Sequence, residues 1–280
     1  MDLKSLAKRS VSGLVYAGIF VGAILAGELW ISIIAVAFGV AASLEFSKIT
    51  SEKSGNSRST DILDTVIAGY IIVCFGYTML AADSAYPFWN LDLWFYLVAG
   101  LLLFSRFIMQ LYVSGSHPLV SISISVLKYI YLALPLGVMC MLGAYSNIYL
   151  LIILLLIWIN DTGAYLVGCT LGRHKMFERI SPKKTWEGFF GGMMFTIVFS
   201  VLFSIFVTCP LSGNIAFSVG LGVVVTLFGT WGDLFESMIK RSLLIKDSGN
   251  IIPGHGGILD RVDSLLFVLP AAAIYSLLFL

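Results

Sequence analysis

Charge is scarce in this chain. Only 12% of its 280 residues are Asp, Glu, Lys or Arg, and the formal net charge is +1. That overall balance says nothing about partners, and no nucleic-acid partner is expected. Long polar stretches are also missing. The longest polar connections are residues 47–61, 169–187 and 240–261, none large enough to be a soluble domain. The four cysteines (Cys74, Cys140, Cys169, Cys209) lie far apart, with no CxxC and no His-Cys spacing, so neither a disulfide nor a zinc site is expected. No repeat of fixed period and no low-complexity segment occurs.

What the chain has in abundance is hydrocarbon. Hydrophobic residues make up 59% of it and the mean hydropathy is +0.96, beyond what a soluble domain of this size needs. An apolar run of about 18 to 25 residues spans a bilayer as a helix. Nine such runs can be drawn, at 11–27, 29–46, 62–81, 92–112, 118–143, 147–168, 188–209, 215–239 and 262–280. The 118–143 run is long, and a break at Pro135 would make ten. The expected fold class is therefore all-α: a polytopic integral membrane protein with about nine transmembrane helices. Residues 1–145 read as an N-terminal transmembrane scaffold. Residues 146–280 read as a C-terminal transmembrane catalytic region with loops on the cytoplasmic side. The basic then apolar N-terminus resembles a signal peptide, but no small-x-small site leads into a polar domain, so a retained first helix is expected.

The basic residues are distributed unevenly. With nine spans, fifteen of the seventeen Lys and Arg fall at the N-terminus or in loops after even-numbered spans. The other two, Arg106 and Lys128, lie within spans, in the halves nearer that side. The opposite side carries Glu28, Asp83 and Asp92 but no base. By the positive-inside rule the basic side, and the N-terminus with it, is cytoplasmic. The expected location is the cytoplasmic membrane, with the chemistry on its inner face.

Four polar constellations interrupt the apolar sequence. In Asn160-Asp161-Thr162-Gly163-Ala164-Tyr165, Asp161 and Tyr165 are four apart and share a helix face. An ionisable group at this depth marks a pathway or a site, although a packing network would also use such residues. In Ser181-Pro182-Lys183-Lys184-Thr185-Trp186-Glu187-Gly188, Ser then Pro predicts a helix start, whose free N–H groups attract anions. Lys183 and Lys184 would complete a phosphate clamp, and an ordinary helix cap is the alternative. In the eighth run, Asp233, Glu236 and Lys240 fall on one stripe. Glu236 and Lys240 read as an internal ion pair, which leaves the deeper Asp233 unexplained.

The fourth constellation extends the third. Residues 233–264 hold five carboxylates and four bases between two apolar segments. Lys246-Asp247 and Gly249 lead to Pro253-Gly254-His255-Gly256-Gly257, then to Asp260-Arg261-Val262-Asp263. Glycine-rich turns present N–H groups to phosphate oxygens. Asp260 and Asp263, three apart at a helix start, repel unless a cation lies between them, and Mg2+ joins carboxylates to substrate phosphates. His255 reads equally as a general base, a phosphate donor or a brace of the turn. Acids for metal together with glycines and bases for phosphates, at a membrane surface, suit phosphoryl or nucleotidyl transfer onto a lipid. These residues do not name the nucleotide.

The 27 residues from Ser237-Met-Ile-Lys240-Arg241 to Asp263 resemble the signature of the phosphatidate cytidylyltransferase (CDP-diacylglycerol synthase) family. The segments at 160–165 and 181–188 resemble the same family. The similarity is strong over 155–280 and rests on length and hydropathy alone before residue 150. It implies a helical membrane enzyme, a homodimer, that joins CTP to phosphatidic acid and gives CDP-diacylglycerol and pyrophosphate. It implies Mg2+ dependence, with a monovalent cation such as K+ as a candidate second ion. By resemblance Asp233 and Asp260 match the metal centre, with Asp263 nearby. Lys246, Asp247 and His255 fall in the catalytic stretch. Ser181, Lys183, Lys184, Thr185, Lys240, Arg241, Arg261, Gly254, Gly256, Gly257, Asn160, Asp161 and Tyr165 are then expected around the substrates. The rival readings are a CTP-dependent enzyme acting on a polyprenol or ether lipid, a CDP-alcohol phosphotransferase and a cation-coupled transporter. The phosphotransferases resemble a different, repeated Asp-Gly pattern that this chain lacks, and transporters place their carboxylates nearer the midplane.

Overall fold

The computed structural model describes residues 3–82, 89–113, 117–209, 213–249 and 256–279. Its helices are α1 (Leu3–Ala26), α2 (Glu28–Ser54), α3 (Arg58–Ala82), α4 (Trp89–Gln110), α5 (Pro118–Lys128), α6 (Leu134–Tyr145), α7 (Asn147–Leu171), α8 (Trp186–Phe206), α9 (Ile215–Ser242) and α10 (Leu259–Leu277). Two short strands, β1 (Lys175–Phe177) and β2 (Ser181–Thr185), form an antiparallel hairpin between α7 and α8. The chain is an all-α polytopic membrane protein. Among the described residues, seven helical segments are long and apolar enough to cross a bilayer. One of them is Pro118–Tyr145. There α5 and α6 join through a π-helical turn at Tyr129–Ala133, so the long fifth run is one rod. Pro135 lacks an N–H for the carbonyl one turn back, and the widened turn just before it absorbs that defect without a break.

Two compact units divide the chain. The first is Met1–Ala144 with Asp247–Asp260, and the second is Tyr145–Lys246 with Arg261–Leu280. The segment 247–260, which the sequence places with the C-terminal region, thus clusters with the N-terminal helices.

The first unit has more buried charge than its sequence suggests. Asp64 on α3 is fully buried. Its carboxylate accepts from Arg106 Nε (2.8 Å), Ser125 Oγ (2.7 Å), Tyr129 Oη (2.7 Å) and Lys128 Nζ (3.3 Å). Lys128 also donates to Ser47 Oγ at 2.6 Å, and Arg106 donates to Gln110 Oε1 at 2.9 Å and Ser121 Oγ at 2.7 Å. Helices α2, α3, α4 and α5 are therefore tied through one carboxylate. Removing one partner from such a buried network typically costs about 3–5 kcal/mol, because the others lose their counter-charge.

The second unit relies on close backbone approach. A Cβ at Gly192 of α8 would lie 2.9 Å from Asn160 O and 2.8 Å from Asn160 Oδ1 on α7. The bare backbone there lets α7 and α8 meet without a side chain between them. Tyr149 of α7 and Ser276 of α10 share a hydrogen bond of 2.7 Å, and Tyr275 Oη donates to Phe217 O of α9 at 3.0 Å.

The predicted helix start at Ser181-Pro182 is not observed. Ser181–Thr185 is a strand, with Thr185 paired to Lys175 and Ser181 to Phe177 across an irregular register. Proline is tolerated on a strand that has no further neighbour. The helix begins instead at Trp186, where Thr185 Oγ1 accepts from Gly188 N at 3.2 Å as the N-cap. Nearby, the Glu187 carboxylate accepts from Arg173 N at 3.1 Å and from His174 N at 3.1 Å, and contacts His174 Nδ1 at 2.6 Å. These bonds fasten the turn after α7 to the first turn of α8.

Candidate active site

The second unit contains a cavity of about 500 Å3. Helix α7 supplies one wall with Asn160, Asp161, Ala164, Tyr165, Gly168 and Cys169, which repeat at i, i+4 and i+8 and so share one face. The hairpin contributes Lys175, Lys183 and Lys184, and α9 contributes Thr230 and Asp233. Lys184 crosses from the hairpin to α9, with Nζ 2.8 Å from Asp233 Oδ2 and 3.3 Å from Thr230 O. Ser237 Oγ donates to the other Asp233 oxygen at 3.3 Å. Asn160 is buried at the cavity wall, and its Oδ1 accepts from Thr196 Oγ1 of α8 at 3.5 Å. Three lysines thus share one cavity with two carboxylates, a mixed lining that an anion bearing a metal would fit.

Asp263 of α10 belongs to the same electrostatic group. It feels the charges of Asp233, Glu236 and Asp161, and Asp161 in turn feels Asp233 and Lys184. The predicted Glu236–Lys240 pair forms, at 3.0 Å. Among the described residues no three His, Cys, Asp or Glu side chains stand close enough together to enclose a metal ion. A fully protein-caged ion therefore does not suit this donor set. A hydrated Mg2+ does suit it, since such an ion takes one or two carboxylates and draws its other ligands from water and substrate phosphates.

Asp260 lies in the first unit with the rest of 247–260. Its Oδ2 accepts from Gly257 N (2.8 Å) and Ser248 N (3.1 Å), and Ser248 Oγ lies 3.0 Å from it. Gly256 has φ of +84°, a conformation few L residues adopt, and a Cβ there would meet Asp260 Oδ2 at 2.6 Å. Lys246 and Asp247 are exposed, as is Arg241, and Arg261 is half-buried. Pro253, Gly254 and His255 lie outside the described residues.

Of the residues singled out from sequence, the cavity unites Asn160, Asp161, Tyr165, Lys183, Lys184, Thr185 and Asp233. Ser181, Lys240 and Arg241 do not line it. Sequence reasoning passed over Lys175, Cys169 and Thr230, which do. Cys169 continues the spacing of Asp161 and Tyr165 and was legible by that rule. Lys175 was not, because its place depends on the hairpin. Glu45 of α2 was also missed. It is a buried carboxylate that binds the glycine-rich stretch, and its one signal is an acidic side chain inside an apolar run.

A model of the cytidylyltransferase family matches residues 7–279. Proteins named phosphatidate cytidylyltransferase are 49% identical to this chain in Staphylococcus epidermidis and 48% identical in Staphylococcus aureus, each over 122 residues. A relative of the same name from Staphylococcus haemolyticus is 47% identical over the same length. In each case the alignment covers 44% of this chain and 46% of the relative, so the chain spans about half the length of the curated relatives it matches.

Proposed function

The chain belongs to the cytidylyltransferase family, and from that premise we propose that it transfers a cytidylyl group from CTP to phosphatidic acid. The products are CDP-diacylglycerol and pyrophosphate. The observation that carries this reading is the cavity in which Lys175, Lys183 and Lys184 stand with Asp161 and Asp233.

A phosphate oxygen of the lipid attacks the α-phosphorus of CTP, and the bond to the bridging oxygen of the β-phosphate breaks in line. Phosphatidate is already anionic near neutral pH, so the attack needs no strong general base, and His255 is not assigned proton removal. Lys183 and Lys184 neutralise phosphate charge as it shifts toward the leaving pyrophosphate. Lys184 is held for this task by Asp233 and Thr230. Asn160, Asp161 and Tyr165 line the α7 wall and orient the nucleotide. Lys240, Arg241 and Arg261 supply further positive charge for the triphosphate and the lipid phosphate. Asp233 and Asp263 would hold Mg2+, which when bound offsets charge on the phosphate oxygens, and Asp260 matches the family's catalytic stretch by resemblance. The basic loops face the cytoplasm, and acyl chains remain in the inner leaflet.

The test uses the purified protein in detergent, with phosphatidic acid and each radiolabelled nucleoside triphosphate, with and without Mg2+. Label entering the lipid from CTP alone, only with Mg2+ and with pyrophosphate release, is the expected result. No nucleotide-lipid product from CTP would overturn the reading. Transfer to a polyprenol or ether lipid in place of phosphatidate would move the protein to another acceptor. Asp260→Asn should lower turnover by about 100-fold or more, the scale seen when a group stabilising transition-state charge is removed, while the protein still inserts and folds.

A further inference from the structure

The glycines of the 247–260 stretch invite a phosphate-cradle explanation, but three of them are already accounted for by carboxylates of the chain itself. A Cβ on Gly249 would stand 3.1 Å from Glu45 Cδ and Oε2. A Cβ on Gly257 would collide with the same Glu45 carboxylate and with Ser248 Oγ, and one on Gly256 would meet Asp260. Glu45 is 3% exposed. Its Oε2 accepts from Ile258 N at 2.8 Å and its Oε1 from Leu259 N at 3.3 Å, and Ser248 Oγ donates to Oε1 in a very short contact. Ile258 and Leu259 carry the free N–H groups at the start of α10, where an anion is stabilised by the aligned peptide dipoles. Ser248 also contacts Asp260 Oδ2 through both its amide and its hydroxyl. Two carboxylates therefore hold Ser248 together with residues 257–259, and Ser248 links them.

We infer that Glu45 of α2 is a positioning residue that fixes the glycine-rich stretch, and through Ser248 the carboxylate of Asp260, in its working geometry. The role of that stretch in catalysis rests on the proposed function, whereas its anchoring by Glu45 does not. Glutamine at position 45 keeps the length of the side chain but turns an NH2 group toward backbone donors, so part of the grip is lost. Aspartate keeps the charge and falls one carbon short.

The test reads the loop and the reaction separately. Hydrogen exchange is followed by mass spectrometry on the full-length protein in detergent, without substrate. In Glu45→Gln, amides in peptides covering 256–260 should exchange about 10-fold faster, the expected effect of losing a hydrogen bond to a charged group. Peptides covering α7 and α8 should be unchanged. In the transfer assay kcat should fall by about 10- to 100-fold, the scale of a small misplacement of a reacting group. Glu45→Asp should recover part of that loss. The effects of Glu45→Gln and Ser248→Ala should be less than additive, because they break the same contact. Unchanged exchange at 256–260 in Glu45→Gln overturns the inference, as does faster exchange with an unaltered kcat. If Glu45→Gln does not accumulate, Ser248→Ala decides, with faster exchange at 256–260 supporting the inference and wild-type exchange overturning it. A wild-type protein that makes no nucleotide-lipid product, combined with faster exchange in Glu45→Gln, would defeat the proposed reaction and leave the anchor standing.

Discussion

Asp233 shows how a single carboxylate gains meaning from its neighbours. In sequence it is the acid that the Glu236–Lys240 pair leaves over. In the structure Lys184 reaches it from a hairpin nearly fifty residues earlier. The α7 side chains were readable because helical spacing alone puts Asp161 and Tyr165 on one face. The same rule extends to Cys169, and that thiol offers a direct probe. Cys74 and Cys140 are buried, Cys209 is half-buried and Cys169 is exposed at the cavity wall. In a Cys209→Ser background, N-ethylmaleimide should label Cys169 and block transfer, because the adduct fills the cavity. CTP with Mg2+ at about ten times its Kd should slow labelling about tenfold, as simple occupancy requires. Labelling of Cys169 that leaves activity intact, measured by peptide mass spectrometry beside the transfer assay, would place the nucleotide elsewhere. Glu45 was not readable at this scale. Its partners, Ser248 and Ile258, lie more than 200 residues away in sequence, and no local pattern reports a contact of that separation.

At the scale of elements, apolar length is the strongest signal and capping chemistry the weakest. The long apolar runs reappear as helices because a chain in hydrocarbon has to satisfy its backbone internally. The Ser181-Pro182 dipeptide pointed to a helix start four residues too early, since a strand edge tolerates the same two residues. What decided the boundary is pairing with Lys175–Phe177, a contact between segments. Ser146 and Asn214 cap α7 and α9 as Thr185 caps α8, each accepting from a backbone N–H three residues on. Thr185→Val should therefore cost about 1 kcal/mol of stability through loss of the cap, read as a lower thermal midpoint in detergent. Ser181→Ala should stay within about 0.5 kcal/mol of wild type, as for ordinary surface changes. A larger loss at Ser181 than at Thr185 would restore the earlier helix start.

For the molecule as a whole, the membrane class was legible from hydropathy. The grouping of 247–260 with the N-terminal helices was not, because it depends on one buried carboxylate and a set of missing side chains. It has a consequence for dividing the chain. A cut between Ala144 and Tyr145 follows one edge of the compact units, yet leaves the glycine-rich stretch on the fragment that lacks Glu45. The backbone donors of Ile258 and Leu259 then lose their acceptor, and Gly249 and Gly257 face empty space where the carboxylate stood. Expressed alone, residues 145–280 should insert in the membrane but be cleaved rapidly by added protease within 247–260, and should show no transfer activity. Co-expression with residues 1–144 should restore both protection and activity, since the tie is non-covalent. Co-expression with a 1–144 fragment carrying Glu45→Gln should leave both pieces inserted but the stretch cleaved. Full protection of 247–260 in the lone C-terminal fragment would mean that the stretch holds its shape without α2.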